Sequence, residues 1–331
     1  MTKRVAINGF GRIGRGYLRL VEKRDEDIEI VAINDVVDVE NLAYLLKYDS
    51  VHGRFDGTVE IKDGNLVVNG KKIKVTAVKD PVELPWEEND IDVVIESTGV
   101  FRYKEQLMKH IEAGADKVLL TVPAKDEIDN TIVLGVNDDD LSDDDLIVSN
   151  ASCTTNCLAP LAKALNDEFG IESGLITTVH GYTSSQAILD MPASKTRRGR
   201  TAAENIIPTT TGAAIATTKV LPELEGKIDG MAIRVPVPDG SCVDGVFTLN
   251  QDVTEEEVNE MFKEKAAGEM EGILGYTDEE LVSRDILGQF ESSKVDGQST
   301  KVVNGNMVKL ISWYDNELSY TNRVIDLTLM L

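Results

Sequence analysis

The run Arg4-Val5-Ala6-Ile7-Asn8-Gly9-Phe10-Gly11-Arg12-Ile13-Gly14 decides the fold. A strand-like apolar segment leads without a spacer into a Gly-x-Gly-x-x-Gly turn, and the turn opens a helical stretch over Arg12–Arg24. A second strand-like run, Ile28–Ile33, is followed by Asp35, 21 residues beyond Gly14. These are the surroundings of a dinucleotide fingerprint. Gly9 permits the tight turn, Gly11 lets backbone approach a pyrophosphate, and Gly14 lets helix and strand pack closely, while the helix start offers aligned amides. Asp35 is then expected to bond the adenine ribose and, by repelling a 2′-phosphate, to favour NAD over NADP. A glycine-rich turn in some other α/β protein reproduces the glycines but not the strand, helix and acid around them.

Working outward, apolar runs alternate with helical stretches as far as Asn150: Val93–Ser97, Phe101–Ala113 and Lys117–Thr121 continue the pattern. Such alternation predicts a parallel sheet. Between them Thr58–Ile61, Leu66–Val68 and Ile73–Val75, joined at Asp63-Gly64-Asn65 and Asn69-Gly70, read as antiparallel hairpins that decorate the sheet. Beyond Asn150 the character changes. A helix is expected over Cys153–Phe169, then longer strands at Leu175–Val179, Met231–Val237, Val243–Asn250 and Met307–Tyr314. Thr254 with Glu257 forms a capping box for a helix reaching about Ala267, and Asn316–Met330 again has helical spacing. The expected class is α/β plus α+β. It comprises a Rossmann-like dinucleotide-binding domain (1–151), a catalytic domain built on an antiparallel sheet (152–315), and a C-terminal helix (316–331) returning to the first domain. With no Pro-rich linker, the junction near Asn150 is expected to be packed and to hold the functional cleft.

A chain of 331 residues with 42% apolar content suits two folded domains. Its net charge of -24, from 58 acids against 34 bases, repels nucleic acid and anionic membranes. The acids are spread along the chain, which a salt-rich cytoplasm would explain, since screening removes their self-repulsion while they keep the surface hydrated. The one dense run, Asp138, Asp139, Asp140, Asp143, Asp144 and Asp145, lacks the central glycine and terminal glutamate of a calcium loop and reads as a solvated turn. No metal is expected, because no Cys/His cluster has ligand spacing. Three cysteines make no disulfide framework and suit a reducing compartment. Strand-like sequence from Arg4 leaves no room for a leader, and no apolar run reaches spanning length, so a cytoplasmic protein is expected.

Ser152-Cys153-Thr154-Thr155-Asn156 follows the strand Leu146–Ser149 and starts a helix, which places Cys153 in the first turn. There, unpaired amides and the macrodipole lower a thiol pKa, and a nearby imidazolium lowers it further. A buried small hydrophobe is the alternative for any single cysteine, and Cys157 and Cys242 are read that way. His180 ends its strand before Gly181-Tyr182-Thr183, a usual place for a catalytic side chain. His52 lies in a loop, and His110, near a helix end, reads as solvated and favoured by the dipole. Arg234, the Arg197-Arg198-Gly199-Arg200 loop and Thr209-Thr210-Thr211-Gly212 before a helix suggest two phosphate pockets. Each taken singly also reads as a surface charge or a helix cap.

The segments Asn8–Arg15, Ala151–Cys157 and Ser312-Trp313-Tyr314-Asp315-Asn316-Glu317 resemble glyceraldehyde-3-phosphate dehydrogenase. Thr178–Thr183, Asn205–Gly212 and Gly230–Pro236 follow in family order, so the resemblance spans the chain. It implies a homotetramer that oxidises D-glyceraldehyde 3-phosphate to 1,3-bisphosphoglycerate with NAD and inorganic phosphate. In it Cys153 forms a thiohemiacetal and then a thioester, and His180 moves the protons. Thr183 and Arg234 resemble binders of the substrate phosphate, and Ser152, Thr154, Thr211, Gly212 and Arg198 those of the attacking phosphate. Arg12, Ile13, Asp35, Lys79, Thr121 and Asn316 resemble cofactor contacts, Asn316 holding the carboxamide. Two departures stand out. Met191-Pro192-Ala193-Ser194-Lys195 replaces the more usual apolar-Pro-His-Lys-Asp run, and Leu318-Ser319 replaces a frequent Trp-Gly. An erythrose-4-phosphate dehydrogenase, which releases its acid by attack of water, shares fold and cysteine chemistry, and a non-catalytic NAD-binding protein shares the fold.

Overall fold

The structure, a computed structural model, describes residues 2–331. The chain forms two compact units, one holding residues up to Ile132 with 139–151 and 321–331, the other 133–138 and 152–320.

In the first unit the elements are β1 (Lys3–Asn8), α1 (Arg12–Arg24), β2 (Ile28–Asn34), α2 (Val39–Lys47), the two-residue strands β3 (Tyr48–Asp49) and β4 (Gly53–Arg54), β5 (Val59–Lys62), β6 (Asn65–Val68), β7 (Lys71–Thr76), β8 (Val93–Glu96), α3 (Lys104–Glu112), β9 (Lys117–Leu120), β10 (Asn130–Thr131) and β11 (Ile147–Ser149). Nine strands form one sheet in the order β10-β11-β9-β8-β1-β2-β7-β6-β5. The strands from β10 to β7 pair parallel. Their centres, Val5-Ala6-Ile7, Val93-Val94-Ile95 and Val118-Leu119-Leu120, are buried throughout, the continuous apolar signature of strands covered on both faces. Along the C-terminal helix, residues of this unit close on α1. Tyr17 donates to the Thr328 hydroxyl at 3.1 Å, and Arg24 pairs with Asp326 at 2.7 Å.

Three sequence expectations change here. The hairpins do not merely decorate the sheet: β7 pairs parallel with β2, so β5, β6 and β7 extend it. The helix expected from Phe101 starts at Lys104, because the Gln106 side chain takes the amides of Arg102 and Tyr103 at 3.0 and 3.3 Å and holds them outside it. His110 is not solvated. It is fully buried, with its Nδ1 accepting from the Trp86 indole at 3.0 Å, so its Nε2 carries the hydrogen and donates to Glu96 at 3.1 Å. Glu96, also fully buried, accepts on the same oxygen from Asn8 Nδ2 at 2.5 Å and on the other from Thr98 N at 2.9 Å and the Thr98 hydroxyl. Asn8 in turn accepts from Asn34 at 2.7 Å, and Asn34 accepts from Thr76 and from Val78 N. Helix α2, unread in the sequence, begins on Asp38, whose carboxylate accepts from Asn41 N at 2.9 Å.

The second unit contains α4 (Cys153–Phe169), β12 (Ile171–Gly181), β13 (Ile207–Thr210), α5 (Ala213–Val220), β14 (Ile228–Val235), β15 (Ser241–Leu249), α6 (Glu255–Ala267), β16 (Leu274–Thr277), β17 (Ser293–Asp296), β18 (Lys301–Val303) and β19 (Met307–Tyr314), and α7 (Leu318–Met330) starts in it. Its sheet runs β13-β14-β12-β15-β19-β17-β16, with β18 on β19. Pairing is antiparallel except at β12/β14 and β16/β17. Helix α6 carries the expected box, with Thr254 Oγ1 accepting from Glu257 N at 3.1 Å and Glu257 accepting from Thr254 N at 2.8 Å. Among the described residues no helix is long and apolar enough to cross a membrane.

The Glu96 network yields a sharp expectation. A Glu96→Gln side chain must turn its NH2 toward a fixed donor whichever way it flips, either Asn8 Nδ2 and His110 Nε2 or Thr98 N, so stability falls by about 1–3 kcal/mol. Guanidinium unfolding at an unchanged midpoint would show that this carboxylate does not hold the network.

Candidate active site

Helix α4 opens with Ser152 as its cap, the Ser152 hydroxyl oxygen accepting from Thr155 N at 3.1 Å. Cys153 is therefore the first helical residue, where the amide array favours negative charge. Residue Ala151, just before the cap, sits at φ 54°, in the left-handed region that a strand-to-helix reversal demands here. Across the unit, β12 delivers His180, which is 4% exposed. The two meet, with Cys153 Sγ 3.5 Å from His180 Nε2.

Register explains how the histidine is held. In the parallel β12/β14 pair, His180 lies opposite Arg234, and Arg234 Nη1 is 2.9 Å from both His180 Nδ1 and the Gly181 carbonyl. His180 Nδ1 is itself 2.7 Å from that carbonyl. With Nδ1–H donated there, Nε2 presents its lone pair to the thiol. The Tyr314 ring stands edge-on to the imidazole at 5.9 Å, and its hydroxyl lies 2.8 Å from both Thr154 Oγ1 and Thr178 Oγ1. Tyr314 thus ties α4 to β12, a role that spacing alone does not reveal.

Burial opposes the lowering of the thiol that the sequence reading expects from the helix start and a nearby imidazolium. Burial pushes Cys153 up, offset in part by the positive Arg234 and by Thr154. Burial, and then Arg234, pushes His180 down to about 3. A lone charge on either group is therefore disfavoured, whereas a proton passed from sulfur to nitrogen over 3.5 Å leaves the pair neutral overall. The other cysteines match the expectation of small buried residues: Cys157 packs its sulfur 3.5 Å from Ser293 Oγ, and burial pushes both it and Cys242 up to about 12.

The candidate anion binders gather in the same unit. Arg198 donates from Nε to Thr209 Oγ1 at 3.0 Å and from Nη2 to the Thr210 carbonyl at 3.2 Å. The Thr211 hydroxyl accepts from Ala213 N at 3.2 Å just before α5, whose N-cap Gly212 faces open space. Thr183 Oγ1 lies 2.9 Å from Ser185 Oγ, itself 3.4 Å from Arg198 Nη1. Asn316 accepts from the Ser241 hydroxyl at 2.5 Å, and the same oxygen of Ser241 accepts from Gly181 N at 3.1 Å. Ser241, which the sequence reading missed, thereby fixes Asn316 against the end of β12; no motif marks it, since only the β12/β15 pairing brings it there.

The glycine turn of the first unit borders a cavity of about 330 Å³ lined by residues including Asn8, Gly9, Gly11, Asp35, Lys79 and Thr98. Gly9 has φ 93°, and a Cβ there would lie 2.7 Å from Thr98 N; one on Gly14 would lie 2.3 Å from the Gly9 carbonyl. A Cβ on Gly11, by contrast, would meet nothing within 4 Å. The turn is thus sealed against the protein on two glycines and open on the third, at the uncapped start of α1, which suits a pyrophosphate. Asp35 accepts from Phe10 N at 2.8 Å and Val37 N at 3.1 Å, which fixes its carboxylate at the cavity wall. Arg12 pairs with Asp49, half-buried Ile13 follows it, and buried Thr121 donates to the Glu96 carbonyl at 3.0 Å; none of these three lines the cavity.

The Cys153–His180 pair carries an expectation of definite sign. Burial raises the thiol, so reactivity near neutrality depends on His180 taking the proton. In His180→Asn, iodoacetamide labelling of Cys153 at pH 7 falls by about 10- to 100-fold and recovers only as pH rises through and beyond the ordinary thiol range. A labelling profile identical to that of the unaltered chain would separate the two residues functionally.

Comparison with known proteins agrees with this geometry. The family model described as "Glyceraldehyde 3-phosphate dehydrogenase, NAD binding domain" matches residues 3–104, and that described as "Glyceraldehyde 3-phosphate dehydrogenase, C-terminal domain" matches residues 152–316. The chain is 55% identical over 329 residues to the glyceraldehyde-3-phosphate dehydrogenase of Priestia megaterium (strain DSM 319 / IMG 1521), covering 99% of this chain and 97% of the relative. It is 56% identical to glyceraldehyde-3-phosphate dehydrogenase 1 of Bacillus subtilis (strain 168), with the same coverage. It is also 56% identical to glyceraldehyde-3-phosphate dehydrogenase A of Escherichia coli (strain K12), over 99% of this chain and 98% of the relative. With a helix-borne cysteine against a buried histidine in one unit and a dinucleotide turn in the other, the chain belongs to the glyceraldehyde-3-phosphate dehydrogenase family.

Proposed function

We propose that the protein oxidises D-glyceraldehyde 3-phosphate to 1,3-bisphosphoglycerate with NAD and inorganic phosphate, in glycolysis or gluconeogenesis. The observation that carries this reading is the 3.5 Å contact of Cys153 Sγ with His180 Nε2 at the first turn of α4. Nε2 takes the thiol proton as the sulfur adds to the aldehyde carbon, and returns it to the carbonyl oxygen, leaving a thiohemiacetal on Cys153. When bound, NAD supplies the hydride acceptor. Nε2 removes the hydroxyl proton as the carbon is oxidised, and a thioester remains on Cys153. Phosphate oxygen attacks that carbonyl carbon, the Cys153 amide and the protonated His180 stabilise the oxyanion, and the C–S bond breaks to return the thiolate, which recovers its proton from Nε2.

In this reading Thr183 and Arg234 hold the substrate phosphate, while Ser152, Thr154, Arg198, Thr211 and Gly212 serve the attacking phosphate. Arg12, Ile13, Asp35, Lys79 and Thr121, with Asn316 for the carboxamide, serve NAD, and residues 152–315 act as the catalytic domain. The Asp35 carboxylate supports a preference for NAD over NADP. Exposed apolar side chains on the second unit, among them Leu175, Met231, Met307, Ile206 and Ile215, support assembly as a homotetramer. The net charge of -24 supports a cytoplasmic, salt-adapted protein with no nucleic-acid or membrane partner.

One assay series tests the proposal. NADH formation from glyceraldehyde 3-phosphate should need phosphate, be faster with NAD than with NADP, and fall at least about 10³-fold in Cys153→Ser. Oxidation of equal rate without phosphate would favour release of the acid by water and an erythrose-4-phosphate-type enzyme. For salt adaptation, the melting temperature should rise from low to molar KCl; a flat or falling curve rejects it.

A further inference from the structure

We propose that Lys195 is a third cation of the anion-binding cluster and binds inorganic phosphate there, an assignment that rests on the phosphorylating reading above. Lys195 closes the run Met191-Pro192-Ala193-Ser194-Lys195. Lys195 Nζ donates to Thr210 Oγ1 at 2.6 Å, beside the two Arg198 bonds to Thr209 Oγ1 and the Thr210 carbonyl. Both cations thus converge on the end of β13, two residues before Gly212 opens α5. Antiparallel pairing of β13 with β14 adds Arg234 from the neighbouring strand, opposite Ile207.

Charge bookkeeping separates this cluster from ordinary surface lysines. Partial burial and then the charges of Arg198 and Arg234 push Lys195 down, and burial pushes Arg198 down as well. The next cation along, Arg200, pairs with Asp190 at 2.8 Å, but no carboxylate lies within ion-pair distance of Lys195, Arg198 or Arg234 among the described residues. In a chain with 58 acids against 34 bases, two cations side by side on Thr209 and Thr210, with Arg234 on the neighbouring strand and no carboxylate paired to any of them, repel one another. An arriving dianion removes the mutual repulsion, and the hydroxyls of Thr209 and Thr210 hold the ammonium and guanidinium in place to receive it. The Lys195 charge supplies affinity for phosphate to a protein whose overall field repels phosphate.

The test uses the full chain with Lys195→Gln, Lys195→Arg and, as a control for an equal change in net charge, Lys72→Gln at an exposed position of β7. Initial rates are measured against phosphate concentration with glyceraldehyde 3-phosphate and with unphosphorylated glyceraldehyde. Equilibrium dialysis of labelled inorganic phosphate measures binding directly. In Lys195→Gln the phosphate KM should rise about fivefold to tenfold with both aldehydes, by more than kcat falls. Lys195→Arg should restore it to within about twofold, and Lys72→Gln should leave it unchanged. An unaltered phosphate KM in Lys195→Gln overturns the proposal. So does an effect seen only on the KM for glyceraldehyde 3-phosphate and absent with glyceraldehyde, which would assign Lys195 to the substrate's own phosphate. If the unaltered chain forms no NADH, the phosphorylating reading falls; dialysis that is weaker for Lys195→Gln than for Lys72→Gln would still sustain the binding site.

Discussion

The 3.5 Å contact between the Cys153 sulfur and His180 Nε2 is the constraint on which the second unit's arrangement turns. Desolvation disfavours a lone charge on either Cys153 or His180, and the 3.5 Å contact lets a proton pass between them without net charge. Everything around the pair fixes that distance: the Ser152 cap sets the start of α4, the β12/β14 register sets Arg234 beside the imidazole, and Tyr314 clamps the helix to the strand. Helix and strand are consecutive, but Arg234 comes from a neighbouring strand and Tyr314 from a distant stretch of chain, so the chemistry is a product of the completed sheet.

Local signals made much of this legible in advance. The glycine turn, the first strand and helix, the span of α4 and the capping box of α6 all rest on short-range rules that act the same way in any context. Fully buried parallel strands were readable as apolar runs for the same reason. Elements whose fate depends on partners far away were less so. The hairpins are antiparallel by local pattern, but only pairing with β2 decides that they prolong the sheet. His110 looks like a dipole-favoured surface residue until Trp86 and Glu96 close over it.

The candidate site divides along the same line. Cys153 and the glycines announce themselves because backbone geometry dictates residue type. Ser241, Tyr314 and Lys195 do not, since each gains its meaning from cross-strand register or from charges contributed by other segments. Burial likewise has no sequence signature at a single position, and it is burial that reverses the expected direction for the isolated thiol.

One feature of the interior bears on how this acidic protein meets its solvent. The Glu96 side chain has no lysine or arginine against it and is satisfied by Asn8, the His110 imidazole, an amide and a hydroxyl. Fully buried and held by hydrogen bonds, it offers no exposed lysine or arginine pair for salt to weaken. The frame beneath the dinucleotide turn is therefore indifferent to ionic strength, and any response of the protein to salt has to originate in its outer shell.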